Sequence, residues 1–117
     1  MSPVSRIPVT IDAGQSLSPA VEVRFEELVG VGFPSAWTAA ELTFQVSVDG
    51  VTYRDLYSTS AEFAIASAAA GANRQVALNP LDMAGVRFLK VRSGTAGTPV
   101  VQAAARDLDL IVRGLWC

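Results

Sequence analysis

The chain has 117 residues, half of them apolar and 17% charged, with eleven acidic residues against nine basic ones and a net charge of −2. That length suits one domain, closed over its core without a metal or a disulfide, and the charge balance disfavours direct binding to duplex nucleic acid, which calls for a basic patch. Histidine is absent and cysteine occurs once, at Cys117, so a Cys/His zinc site, an internal disulfide and the commonest general base are all excluded.

The first twelve residues lack the basic start and apolar core of a secretory signal, and no apolar run approaches the roughly eighteen residues of a bilayer span. The expectation is a chain kept in a cytoplasm, with no membrane partner. Within residues 1–12, Ile7, Val9 and Ile11 alternate with Pro8 and Thr10, which reads as an N-terminal strand or arm. Pro8 has no amide hydrogen, so the strand belongs at a sheet edge. Residues 12–19, DAGQSLSP, are a turn-rich loop, and Val21, Val23 and Phe25 mark a second strand with one solvated face. Residues 28–33 form a third, more buried strand, in which the glycines allow another backbone or a bulky side chain to come close. Trp37 follows in SAWTAAE, either as a plug for one end of the core or as an anchor for a partner.

Residues 42–57, LTFQVSVDGVTYRDLY, form the central β-hairpin. Leu42, Phe44, Val46 and Val48 alternate with Thr43, Gln45 and Ser47, giving one apolar and one polar face. Asp49-Gly50 suits a two-residue type I′ turn. In that register Val48 faces Val51, and Val46 faces Tyr53 on the buried side. Phe44 would then face Asp55, so either the strand leaves the sheet at Arg54 or, the favoured reading, a one-residue bulge in the return strand turns Leu56 inward.

Downstream, Glu62, Phe63 and Ile65 mark a short strand, residues 66–73 a small-residue loop or helical turn, and residues 74–78 another short strand. Pro80 to Ala84 reads as one helical turn. Leu89 and Val91 then share a face opposite Phe88, Lys90 and Arg92. Residues 93–99 are a loop. In the last strand Leu108, Leu110 and Val112 point inward, while Asp107 and Asp109 share the outer face, solvated or paired with Arg106 or Arg113. Short strands with turn signals every ten or so residues predict an all-β fold, a single-domain antiparallel β-sandwich of about eight strands spanning residues 1–117. Residues 114–117, GLWC, form an apolar tail in which Leu115 and Trp116 either fold back on the sandwich or insert into a neighbouring subunit.

The carboxylates are scattered, and no phosphate-binding glycine loop or calcium-type cluster of oxygen ligands occurs. No catalytic, cofactor-binding or metal-binding residues are expected, and the chain reads as non-enzymatic.

Two stretches carry a resemblance. Residues 47–53, SVDGVTY, look like the S-x-DG-x-x-aromatic turn of discoidin-like and carbohydrate-binding sandwiches, which implies a jelly-roll or discoidin-like arrangement. Residues 34–57 together with ALNPLDMAGVRFLKVRSGTAGTPVVQAAARDLDLIVR, residues 77–113, resemble a group of small virion proteins of tailed double-stranded DNA bacteriophages and gene transfer agents. Within it, Trp37, Asp49, Gly50, Pro80, Gly85, Arg87 and Gly94 read as determinants of fold. The resemblance implies a virion structural protein located on the particle, as a capsid decoration or cement subunit or the base of a head spike. Its implied partners are the major capsid protein or other virion proteins and its own copies, as trimer or pentamer. A tail-associated protein, or a module recognising a glycan or protein, is the alternative. The interface candidates are Trp37, Tyr53, Leu115 and Trp116. For a glycan, Trp37, Tyr53 and Tyr57 are the available aromatic platforms.

Overall fold

A computed structural model describes residues 4–23, 26–83 and 85–114. Nine strands occur among these described residues: β1 Val4–Ile11, β2 Val21–Glu22, β3 Glu26–Gly32, β4 Leu42–Ser47, β5 Arg54–Asp55, β6 Ala64–Ile65, β7 Gln75–Ala77, β8 Phe88–Ser93 and β9 Arg106–Gly114. One sheet has the order β1-β9-β3-β7. The other runs β2-β8-β4-β5, with β6 pairing farther along β4, and every pairing is antiparallel. Taking β5 and β6 as two pieces of one strand, the chain alternates between the sheets in the order of a jelly roll, the double Greek key of eight strand positions. The sandwich expected from the strand spacing is the architecture found.

Alternation along each strand builds the interior. Leu108, Leu110 and Val112 of β9 meet Leu42 and Phe44 of β4 and Leu89 and Val91 of β8, all inaccessible to water. Each such side chain contributes about 1.5–3 kcal/mol when withdrawn from solvent. Pro8 lies in β1, at the edge of its sheet, opposite Asp109. In β3 the register slips between Leu28 and Gly30. This bulge lets Leu28 and Val31, three residues apart, both face the core. Gly30 is closely approached, since a Cβ there would stand 3.1 Å from the Val76 carbonyl oxygen. The helical turn expected at Pro80 is a 3-10 turn, Pro80–Met83, pinned to the core by buried Met83. In the loop after β6, the Ala66 carbonyl accepts from the amides of both Ala69 and Ala70, a single helical turn.

The central hairpin differs from expectation in its turn. Gln45 pairs with Asp55 and Val46 with Arg54, and the Leu56 amide donates to the Phe44 carbonyl at 3.0 Å. The one-residue shift and the inward Leu56 are therefore present, but the shift is absorbed in a wide loop over residues 47–53. A type I′ turn needs positive φ at both central residues. Gly50 has it, at 77°, and Asp49 does not. Side chains close the loop instead: Ser47 Oγ accepts from the amides of Asp49 and Gly50, and Asp49 Oδ1 accepts from those of Val51 and Thr52. Val48 and Val51 are left exposed. Tyr53 lies on the outer face of the sheet, with Lys90 Nζ 4.4 Å above its ring, and not against the core opposite Val46.

Candidate functional site

The second sheet's outer face carries a polar cluster that strand periodicity would leave in water. The Arg92 guanidinium, nearly buried, donates from Nε to Thr43 Oγ1 at 3.0 Å, from Nη1 to Asp55 Oδ1 at 2.8 Å and from Nη2 to Glu62 Oε2 at 2.6 Å. Glu62 also accepts from the Ala96 amide, and the Thr43 hydroxyl donates to the Gly94 carbonyl. With three acceptors around it, this guanidinium has little capacity left for an anionic ligand. Its role is to fasten residue 62 and the loop after β8 to the sheet.

Glu62 closes a small hairpin that buds out between β5 and β6. Tyr57 and Glu62 form a bridge, the Phe63 amide donates to the Leu56 carbonyl, and the Ser58 amide donates to the Ala61 carbonyl. The tip is set by the Ser58 hydroxyl, which accepts from the amides of Ser60 and Ala61, a serine turn of the kind that replaces backbone pairing in tight loops. At the base, Leu56 and Phe63 pack on the core, and the Phe63 ring lies 6.0 Å from that of Phe44.

Between this hairpin and the 3-10 turn runs a groove of about 400 Å³ lined by Leu56, Tyr57, Ser58, Thr59, Phe63 and Asp82. Asn79 Oδ1 accepts from the Leu81 amide and caps the turn that presents Asp82. Apolar side chains stand exposed at one end of the sandwich. Val4 begins β1, Val48 and Val51 lie in the loop before β5, and Leu81 lies in the turn before β8, each between 67% and 82% exposed.

The described residues among the aromatic ones singled out from the sequence, Trp37, Tyr53 and Tyr57, do not share one site. Trp37 sits at the opposite end, half-buried against the core, edge-on to Phe33 at 5.1 Å, with Nε1 donating to the Ala40 carbonyl. Tyr53 is covered by Lys90, and Leu115 and Trp116 lie outside the described residues. Tyr57 alone among the aromatic platforms borders the groove. On the outer face of β9, Asp109 pairs with Arg6 and Asp107 with Thr10, not with Arg106 or Arg113. Arg113 reaches Glu27 across the sheet, and Arg106 joins the buried Gln102 amide, which also bonds Thr38 and Ser93. Thus Arg92, Glu62, Asp82 and Gln102 were missed. A loop hairpin covering an outer face leaves no period in sequence, and Gln102 carries no pattern that marks it as interior.

Among the described residues no three His, Cys, Asp or Glu side chains gather as a metal site, and no helix is long and apolar enough to cross a membrane. Comparison with known proteins gives no match to a family model and none to a curated protein.

Proposed function

We propose that the chain is a non-enzymatic structural subunit of a tailed-bacteriophage particle, a capsid decoration or cement protein or the base of a head spike. In this reading it binds the major capsid protein and associates with its own copies in the assembled virion. The observation that carries it is the exposure of Val4, Val48, Val51 and Leu81, which the strand order puts at the same end of a sandwich whose interior is already closed. Apolar side chains exposed at that level contribute little to folding, and burying each of them in a contact would contribute up to about 1.5–3 kcal/mol. Support also comes from the likeness of residues 34–57 and 77–113 to small virion proteins, and from a jelly-roll order common in capsid domains. Mechanically, a rigid sandwich spanning neighbouring capsid subunits adds buried contact that opposes the outward pressure of packaged DNA. A symmetric association of copies would multiply that contact.

Purified particles of the encoding phage test the reading. Mass spectrometry should find the chain at a stoichiometry tied to the capsid lattice, and electron microscopy should show the sandwich on the head surface with its Val48 and Leu81 end toward the shell. Density on the tail would move the protein to a tail-associated role. Absence from intact particles would overturn the proposal.

A further inference from the structure

We infer that the groove between Tyr57 and Asp82 is a binding site for a neutral sugar ring. The groove's volume of about 400 Å³ lies within the range of small-ligand sites, roughly 300–1,000 Å³. Its lining has the two chemistries a pyranose presents. Sugars carry a patch of C–H groups on one face and hydroxyls around the rim. Tyr57, 60% exposed, offers an aromatic face for the first, with Leu56 and Phe63 beneath.

For the rim, Asp82 supplies a carboxylate that can accept from two neighbouring hydroxyls. Thr59 and the Tyr57 phenol can each donate and accept. None of these three side chains has a hydrogen-bond partner among the described residues. Nearby serine and arginine groups are, by contrast, engaged: Ser58 in its own turn and Arg92 in its ion pairs. The free groups thus converge on one cleft.

Charge narrows the ligand class. Among the described residues Asp82 is the one ionised side chain in the lining, and no Arg or Lys forms an ion pair with it. An anionic sugar or a phosphate would meet a carboxylate with nothing to offset it, so the site selects uncharged hexoses. Both walls are fixed before binding. The Glu62–Arg92 pair holds the hairpin, while Met83 and the Asn79 cap hold the 3-10 turn, which keeps the ordering cost of binding low. The groove is separate from the Ser47–Tyr53 loop.

Nitrogen-15 NMR titration of the full chain with the methyl glycosides of glucose, galactose and mannose, and with sialic acid, tests this. At least one neutral glycoside should shift the amides of residues 57–59, 63 and 82 with millimolar affinity, and sialic acid should not. Tyr57→Ala and Asp82→Asn should each weaken binding about tenfold or more, with the melting temperature unchanged because both side chains are exposed. No shift with any glycoside, binding unchanged in both variants, or preference for sialic acid would each overturn the assignment. Particle attachment of Tyr57→Ala is read separately: retained attachment is expected, and lost attachment would make Tyr57 part of the capsid contact and overturn the sugar site. Conversely, a chain absent from particles that still binds a glycoside would leave this site standing while the particle role falls.

Discussion

Arg92 Nη2 lies 2.6 Å from Glu62 Oε2, thirty residues away in sequence, with side chains 6% and 15% exposed. The pair is inside the molecule although it sits on a sheet's outer face. Removing one partner of a buried pair leaves an uncompensated charge, at a cost of about 3–5 kcal/mol. Arg92→Met should therefore destabilise the fold by about that amount in urea denaturation. Asp55 shares the same guanidinium but is 37% exposed, so Asp55→Ala should cost no more than about 1 kcal/mol. Equal losses in the two variants would show that the cluster does not distinguish buried from solvated acceptors.

Gly50 and the Phe88 ring set the second expectation. Gly50 has φ of 77°, and a Cβ there would stand 3.2 Å from the ring. A β-branched side chain is strained at that φ whatever the space, and the Phe88 ring would also have to give way by a few tenths of an ångström. Gly50→Val should lower stability by about 1–3 kcal/mol. An unchanged melting temperature would mean the loop can reorganise without loss.

Asp49 gives the acid response of the same loop. Amides of Thr52 and Val51 donate to its carboxylate, as does the Ser47 hydroxyl, and hold its pKa down to about 2 from 3.8. The folded pKa is the depressed one, so the loop's contribution is fully present above pH 3.8 and is lost as pH falls through about 2. Carbon-13 titration of the Asp49 carboxyl should show a midpoint near 2, and Asp49→Asn should remove the acid dependence while keeping an acceptor for the amides. A midpoint near 4 would mean that these hydrogen bonds do not persist in solution.

Legibility followed burial on one face. Leu108, Leu110 and Val112, like Leu42 and Phe44, alternate because each strand has a single face in the core, and a one-residue slip would expose all of them. Leu56 could be placed inward for the same reason. Partners of charged side chains could not. Sequence spacing offers Asp107 and Asp109 solvent, or Arg106 or Arg113 of their own strand, yet cross-strand register puts Arg113 opposite Glu27, and Asp109 beside β1, where it meets Arg6. Pro8 stands directly opposite Asp109 and Arg6 diagonal to it, and diagonal neighbours lie about 7–8 Å apart, still nearer than residues four apart along a strand, at roughly 13 Å. The turn at Asp49 was misread because its dipeptide suits two loops. Ser47, two residues before it, decided between them by supplying the hydroxyl that closes the wider one. The groove was invisible, since it depends on a hairpin interrupting one strand and on the 3-10 turn that faces it.

Val48, Val51 and Leu81 carry the last expectation. They lie in two connections at the same end of the sandwich, after β4 and before β8, and each is largely in water. Exposed positions of this kind usually change stability by no more than about 0.5 kcal/mol when substituted. The combined variant Val48→Ser, Val51→Ser, Leu81→Ser should therefore keep the melting temperature of the isolated chain within a few degrees. If this end faces the capsid, the same variant loses the apolar centre of the contact, where truncations cost most. Particles assembled with it should then carry little of the protein, and wild-type chain added in excess should refill the empty positions. A variant that decorates particles as well as the wild type would move the contact elsewhere on the sandwich. A variant that unfolds would show instead that these side chains are part of the fold.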